Sequence, residues 1–176
     1  MRSHKTASFV FILALFGLGT TAKSATLENT LSAIHKNYQP ESINDLEKTQ
    51  QDEIICLALD QYAEARGSTT ADIMAVGFST RNRVTKGSHS FCKTIWEKGQ
   101  YIWTRKPVKG ILPKENASWL RMVNYAKQIV TQDDLDDPTH GADSFYIKRL
   151  RPAWARRSPI HLMIGAHIYV RLLGAS

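Results

Sequence analysis

The sequence predicts a single domain with an α+β fold that is mainly helical. Three segments, 52–65, 70–86 and 117–130, place apolar residues at three- and four-residue intervals, which is the period of an amphipathic helix. The stretches between and after them are short, aromatic or rich in Gly and Pro, as expected for loops and a little β structure. No alternation of strands and helices indicates a doubly wound sheet.

Composition agrees with a folded chain. The 176 residues are 43% hydrophobic and 22% charged. This is an ordinary globular composition, and the length is sufficient to bury a core.

The N-terminus has the pattern of a secretory signal. A basic start is followed by the apolar run 7–18 and then by small residues that end at Ser24. We expect residues 1–24 to be a signal peptide, because the apolar run is shorter than the roughly 20 residues of a membrane span. A retained anchor is the alternative. No membrane span is then expected in the mature chain, and the protein is expected in the periplasm, the cell envelope or outside the cell.

Removal of the signal peptide would lower the formal net charge from +7 to +4, because residues 1–24 contain Arg2, Lys5 and Lys23 and no acid. Export argues against nucleic acid as the partner of this basic surface. A polyanionic cell envelope fits the charge better.

Residues 25–51 are polar, contain Pro40 and are interpreted as an N-terminal segment with a loose helix and a linker. The domain itself is expected to span 52–176. Its first helix, 52–65, has acids in the first turn and Gly67 just after its end. Thr69 is expected to cap the second helix, with Asp72 three positions later.

Smaller elements follow the second helix. Residues 91–96 are expected to form one more helical turn, and 99–104 a loop or short strand. The two cysteines, Cys56 and Cys92, either pair or remain two buried thiols, and an oxidising compartment favours the disulfide.

One carboxylate, Glu64, stands between two alanines at the end of the first predicted helix. Carbonyl groups at a helix C-terminus and partial burial both raise the pKa of a carboxyl group. A glutamate that stays protonated near neutral pH can act as a general acid. On spacing alone, a solvated surface acid or an ion pair with Arg66 is the favoured interpretation.

Six blocks in order favour the catalytic interpretation. They are CLALDQYAEARG (56–67), AVGFSTRNRV (75–84), FCKTIWEKGQYIWT (91–104), DPTHGADSFY (137–146), RPAWA (151–155) and IGAHIY (164–169). Together they resemble the SleB/CwlJ-type cell wall hydrolase family, whose members cut peptidoglycan.

The resemblance implies a lysozyme-like fold and one essential glutamate, which corresponds to Glu64. It implies cleavage of the β-1,4 bond between N-acetylmuramic acid and N-acetylglucosamine in glycan strands, by hydrolysis or by lytic transglycosylation. Substrate-binding candidates are Gln100, Tyr101, Trp103 and Tyr146, although Trp103 is equally a core residue. Arg66 and His140 are expected in supporting positions, and a solvated loop position is the alternative for His140. His167 is interpreted as a core residue.

Ser68 departs from the family pattern, which has a glutamate there. Its presence removes one candidate for a second carboxylate and favours the single-acid mechanism of a lytic transglycosylase. Two alternatives stay open. One is a peptidoglycan-binding protein without activity, and the other is a zinc-dependent N-acetylmuramoyl-L-alanine amidase. The histidines lack a zinc-ligand spacing such as HExxH, so we expect neither a metal nor another cofactor.

Overall fold

The computed structural model describes residues 26–114, 116–159 and 161–172. Within these ranges the helical part comes first and a small sheet follows, which confirms the prediction of a mainly helical α+β fold. The helices are α1 (Leu27–Asn37), α2 (Lys48–Ala65), α3 (Thr70–Gly87), α4 (Phe91–Trp96), α5 (Val108–Ile111) and α6 (Asn116–Thr131); the strands are β1 (Ser144–Ile147), β2 (His161–Ile164) and β3 (His167–Val170). Short 3-10 helices lie at Glu41–Ile43, Trp103–Arg105 and Ala153–Arg157. The predicted signal peptide lies outside the described residues.

Helix α2 is the centre of the core and packs against α3, α4 and α6. Every residue from Ile54 to Tyr62 is buried, so this helix is covered on all sides rather than on one stripe. It begins at Lys48, four residues before the predicted start. The expectation of first-turn acids was therefore wrong, because Asp52 and Glu53 lie in the second turn.

Those two acids have specific partners. Asp52 accepts a hydrogen bond from Lys48 Nζ at 2.6 Å and lies 2.6 Å from His35 Nε2. Glu53 accepts the backbone N–H groups of Phe91 and Cys92, so its carboxylate caps the N-terminus of α4. A half-buried cap of this kind cannot be distinguished from a surface acid by sequence spacing.

The polar N-terminal segment packs on the core. Ile34 of α1 and Ile43 are fully buried, and the indole N–H of Trp119 donates to the carbonyl oxygen of Tyr38 at 2.7 Å. Residues 26–47 therefore help to cover α2 and α6 in addition to connecting to them. This packing role was not predicted from the sequence.

Helix α3 begins as predicted. The Thr69 hydroxyl accepts the Asp72 backbone N–H at 3.3 Å, and the helix ends at Gly87. Its middle contains Gly77, where an added Cβ atom would lie 2.5 Å from Ile129 Cδ1 and 2.6 Å from Gln61 Nε2, so both side chains would have to shift. The missing side chain lets α3 approach both α2 and α6 closely.

Cys56 and Cys92 form a disulfide with a Cα–Cα distance of 5.2 Å, which confirms the predicted pair. The bond joins the middle of α2 to α4. The predicted third helix is also confirmed as α6. No helix in the described part of the chain has the length and apolar character needed to cross a bilayer.

The sheet is antiparallel with the strand order β1-β3-β2. β2 and β3 form a hairpin whose turn contains Gly165, with φ of +56°. A Cβ atom there would lie 2.6 Å from the Asp72 carboxylate. The sheet can therefore seat directly on the first turn of α3 only if this residue is glycine.

Candidate active site

Glu64 lies in the last turn of α2, is half-buried, and faces a cleft of about 450 Å³. The cleft runs between α2, α3, the loop after α4 and strand β1. Its lining residues are Glu64, Arg83, Gly99, Gln100, Tyr101, Ile102, Ser144, Phe145, Tyr146, Ile147, Leu150, Trp154, His167 and Leu172. Glu64 is the single carboxylate among the described residues that line it.

The electrostatic environment favours a protonated Glu64. Burial raises the pKa of this carboxyl group above its ordinary value, and the positive charges of His167 and Lys106 offset the rise only in part. The group therefore keeps its proton to a higher pH than an exposed glutamate does. A raised carboxyl pKa is what general acid catalysis near neutral pH requires.

Three of the four predicted substrate-binding residues line the same cleft as Glu64. Gln100 accepts a hydrogen bond from Arg83 at 2.7 Å, which fixes its amide at the rim. Tyr101 is 6% exposed and contributes its ring to the floor. Tyr146 of β1 packs edge-on against Trp154, with ring centroids 5.8 Å apart.

Trp154 was missed as a site residue. Its side chain is 49% exposed and lines the cleft beside Tyr146. An exposed tryptophan in a cleft offers a flat apolar surface on which a sugar ring can stack. The RPAWA block was noted in the sequence, but nothing in its composition separates an exposed tryptophan from a buried one.

Trp103 lies elsewhere, and the structure corrects its assignment to the cleft wall. Its side chain is 7% exposed and packs edge-on against Trp96 at 5.3 Å. The 3-10 turn at Trp103–Arg105 directs Trp103 inward and leaves Ile102 80% exposed at the cleft instead. The core interpretation of this tryptophan is the one that the structure supports.

The two supporting candidates also lie away from the cleft lining. Arg66 folds back along α2, with its guanidinium 5.1 Å from the ring centroid of Tyr62, and faces a separate hollow of about 160 Å³. His140 occupies an exposed loop with φ of +51°, and its carbonyl oxygen accepts a hydrogen bond from Arg171 at 2.7 Å. Neither side chain contributes to the surface around Glu64.

A second acid, Asp60, lies one helical turn before Glu64 and is fully buried behind Tyr101. Its Oδ2 accepts hydrogen bonds from Thr80 at 2.8 Å and from the Tyr101 hydroxyl at 3.1 Å. Arg83 donates in turn to the Tyr101 oxygen at 2.8 Å. Asp60 Oδ1 has no hydrogen-bond partner within the described residues, and an ionised carboxylate with a bare buried oxygen is costly.

Burial, helped by the negative charge of Glu64, raises the pKa of Asp60 to about 7. The folded protein therefore holds a proton that the unfolded chain releases near pH 4. The free energy of unfolding should fall as pH rises from about 4 to about 7, by up to about 1.4 kcal/mol per pH unit. The stabilisation is complete below about pH 4 and lost above about pH 7.

Asp60→Asn should flatten this slope, because the amide does not titrate. Denaturant unfolding at several pH values between 4 and 8 measures it. Glu64 contributes in the same direction, so Glu64→Gln serves as a reference that removes the Glu64 titration and leaves burial, the largest cause of the raised Asp60 pKa, in place. A slope in Asp60→Asn equal to that of the parent protein would show that Asp60 does not carry this proton.

Asp72 and His167 form a buried pair at the edge of the cleft. Both carboxylate oxygens of Asp72 lie 3.0 Å from His167 Nδ1, and Oδ1 also accepts the Tyr169 hydroxyl at 2.8 Å. Burial raises the pKa of Asp72, but hydrogen bonds from His167, Tyr169 and Ser68 outweigh it and hold the pKa below its ordinary value. His167 is thus both a core residue, as predicted, and a lining residue of the cleft.

Ser68 has a defined role in this arrangement. Its hydroxyl group helps to lower the pKa of Asp72, which an ionised glutamate would not do because a carboxylate only accepts hydrogen bonds. Ser68 therefore favours the ionised form of the carboxylate that contacts His167.

Comparison with known proteins adds no relative. No family model, curated protein or solved structure matches the chain. Among the residues that the structure describes, no three His, Cys, Asp or Glu side chains are grouped so that they could hold a metal ion. What the site does must therefore be inferred from its own residues.

Proposed function

We propose that the protein is an exported enzyme that cleaves the β-1,4 bond between N-acetylmuramic acid and N-acetylglucosamine in peptidoglycan. The observation that carries the proposal is the position of Glu64, a half-buried carboxyl group with a raised pKa in an open, aromatic cleft. The six sequence blocks that resemble the SleB/CwlJ-type family support it. Membership of that family and a lysozyme-like fold are part of the proposal.

The reaction begins with proton transfer. Glu64 donates its proton to the glycosidic oxygen as the bond from this oxygen to C1 of the muramyl residue breaks. The leaving group departs as the 4-hydroxyl of N-acetylglucosamine, and positive charge develops at C1. The ionised Glu64 then faces that charge at close range.

The second step regenerates the acid. The Glu64 carboxylate accepts the proton of the muramyl 6-hydroxyl, and O6 forms a bond to C1 of the same sugar. The product is a 1,6-anhydromuramyl end, and no water is consumed. One group acts first as acid and then as base, so a second carboxylate is not needed.

The residues that line the cleft agree with this single-acid mechanism. A two-carboxylate hydrolase needs a second acid on the other side of the sugar. In the described part of the cleft the lining offers one carboxylate, and Asp60 is shielded from it by Tyr101. Tyr146 and Trp154 supply apolar surface for sugar rings, and Gln100 supplies an amide for an acetamido group.

His167 is expected to set the pH range of the reaction. A positive charge on His167 lowers the pKa of Glu64. His167→Gln removes it, so the pH above which activity declines through loss of the Glu64 proton should move upward. The initial rate of dye release from labelled sacculi, measured at a series of pH values, shows where this decline in activity begins.

His89→Gln is the matched control for that experiment, because His89 is exposed near the end of α3 and does not line the cleft. Its profile should overlay that of the parent protein. An unshifted pH–rate profile in His167→Gln would show that His167 does not lower the pKa of Glu64.

The proposal itself is tested by incubation of the purified mature protein with sacculi. Release of soluble muropeptides is the expected result. Tight binding to sacculi without any release would instead favour a peptidoglycan-binding protein that lacks activity.

A further inference from the structure

A second concave surface lies beside the cleft and is lined by cations. It has a volume of about 580 Å³ and is formed by the sheet and the 3-10 helix Ala153–Arg157. We call it the basic pocket; its lining includes Tyr146, Lys148, Arg151, Arg156, His161 and Ile168. No acidic residue of the described chain is part of its lining.

Among the residues that the structure describes, no carboxylate pairs with the three permanent cations of the basic pocket. Lys148, Arg151 and Arg156 are exposed, and none of them takes part in an ion pair within the described ranges. Like charges that share one concavity repel each other and raise the local positive potential. Such a surface favours an anionic ligand, which relieves the repulsion.

The basic pocket adjoins the Glu64 cleft. Tyr146 lines both, and it stands opposite Ile168 in the register of β1 and β3, so the two side chains share one face of the sheet. Trp154 lines the cleft, whereas Arg156, in the same 3-10 helix, lines the basic pocket. A ligand that fills the cleft therefore reaches the cations by passing Tyr146.

We propose that the basic pocket is an anion subsite, which binds the carboxylates of the peptide stems on the glycan strand that Glu64 cleaves. This inference rests on the proposed function. The sugar backbone of a peptide-substituted strand is uncharged. Contacts with the sugars alone would therefore not use the positive charges of Lys148, Arg151 and Arg156. The stems supply free carboxylates on the same molecule that the cleft accepts, and Arg binds carboxylates with directed hydrogen bonds.

The subsite is tested by binding rather than by turnover. In a Glu64→Gln background the strands stay intact, and affinity is measured for peptide-bearing glycan strands and for amidated strands, which are the same strands with their stem carboxylates converted to amides. Arg151→Gln/Arg156→Gln should weaken binding of peptide-bearing strands by about tenfold, since each exposed charge pair contributes a factor of up to about five. Binding of amidated strands should be unchanged.

Lys36→Gln/Lys109→Gln is the matched control. It removes the same net charge at exposed positions on α1 and α5, outside both cavities. Its affinity for peptide-bearing strands should stay within about twofold of the parent. The preference of the parent for peptide-bearing strands should also decline with salt, because screening shortens from about 8 Å at physiological ionic strength to about 3 Å at 1 M.

Three results would overturn the subsite. The first is equal affinity of Arg151→Gln/Arg156→Gln and its control for peptide-bearing strands, and the second is an equal loss of affinity for the amidated strands. The third is that Arg151→Gln/Arg156→Gln loses affinity only for vesicles of anionic phospholipid, measured in parallel, and not for peptide-bearing strands. That result would assign the cations to binding of a membrane surface. Failure of the proposed function is distinguished by a different measurement, because the parent protein would then not digest sacculi.

Discussion

Glu64→Gln should lower the rate of sacculus digestion by a factor of about 10²–10⁴, which is the usual contribution of a general acid. Glutamine keeps the shape of the side chain but has no transferable proton. The glycosidic oxygen would then leave unprotonated, and no base would accept the proton of the 6-hydroxyl. The measurement is the initial rate of soluble muropeptide release from purified sacculi by equal amounts of folded protein.

The fold should survive this substitution. Burial raises the pKa of Glu64, so a neutral amide at this position does not lose a stabilising charge. Binding of glycan strands should persist, because the amide can still donate to the glycosidic oxygen. Equal thermal midpoints and retained strand binding therefore separate lost chemistry from lost structure.

The choice of control residue follows from the structure. Glu53 caps α4, and Glu97 lies 3.4 Å from the amide nitrogen of Gln100, a cleft residue, so neither is a neutral reference. Glu28 is exposed in the first turn of α1 and lies outside the cleft lining. Glu28→Gln should digest sacculi at the parental rate, and a Glu64→Gln variant that matches it would refute the assignment of the acid.

Reduction of the Cys56–Cys92 disulfide should lower the free energy of unfolding by roughly 3–4 kcal/mol. The bond closes a loop between residues 36 positions apart, and in the chain-entropy model a loop of this length restricts the unfolded chain by about that amount. Both sulfurs are buried, so reductant should act mainly on the unfolded protein. Denaturant midpoints with and without reductant give the difference.

Cys56→Ala/Cys92→Ala checks that the effect belongs to the bond. Its midpoint should be low and should not change with reductant. The bond also ties α2, which carries Glu64, to α4, which leads into the Gly99–Ile102 wall of the cleft. Two titratable thiols in protein isolated without reductant, or midpoints that ignore reductant, would contradict this prediction.

The helical part of the fold could be predicted from the sequence because its signals are local. The spacing of apolar residues predicted α2, α3 and α6. Thr69 caps α3, as predicted. The start of α2 was misplaced because Lys48, Thr49 and Gln50 are polar and carry no periodicity. Their helical state comes from continuation of a buried helix.

The sheet was predicted only as a little β structure. Each strand has four residues, which is too few to show an alternation of apolar and polar positions. The requirement for glycine at 165 likewise arises from contact with Asp72, which is distant in sequence. Neither feature has a local signal.

The site shows the same division. Glu64, Gln100, Tyr101 and Tyr146 were predicted through motifs and share one cleft. Asp60 and Asp72 were missed as site residues, because a buried acid with distant partners has the same local sequence as a solvated one. Asp60 did leave one signal: it precedes Glu64 by four residues and so lies on the same face of α2.

The most direct test of the account is mass spectrometry of the muropeptides that the purified protein releases from sacculi. We expect glycan fragments that end in 1,6-anhydromuramic acid, with no free peptides, and we expect these fragments to be lost in Glu64→Gln. Fragments with reducing N-acetylmuramic acid ends would contradict the single-acid ring closure. Free stem peptides, or no fragments at all, would contradict glycosidic cleavage by Glu64.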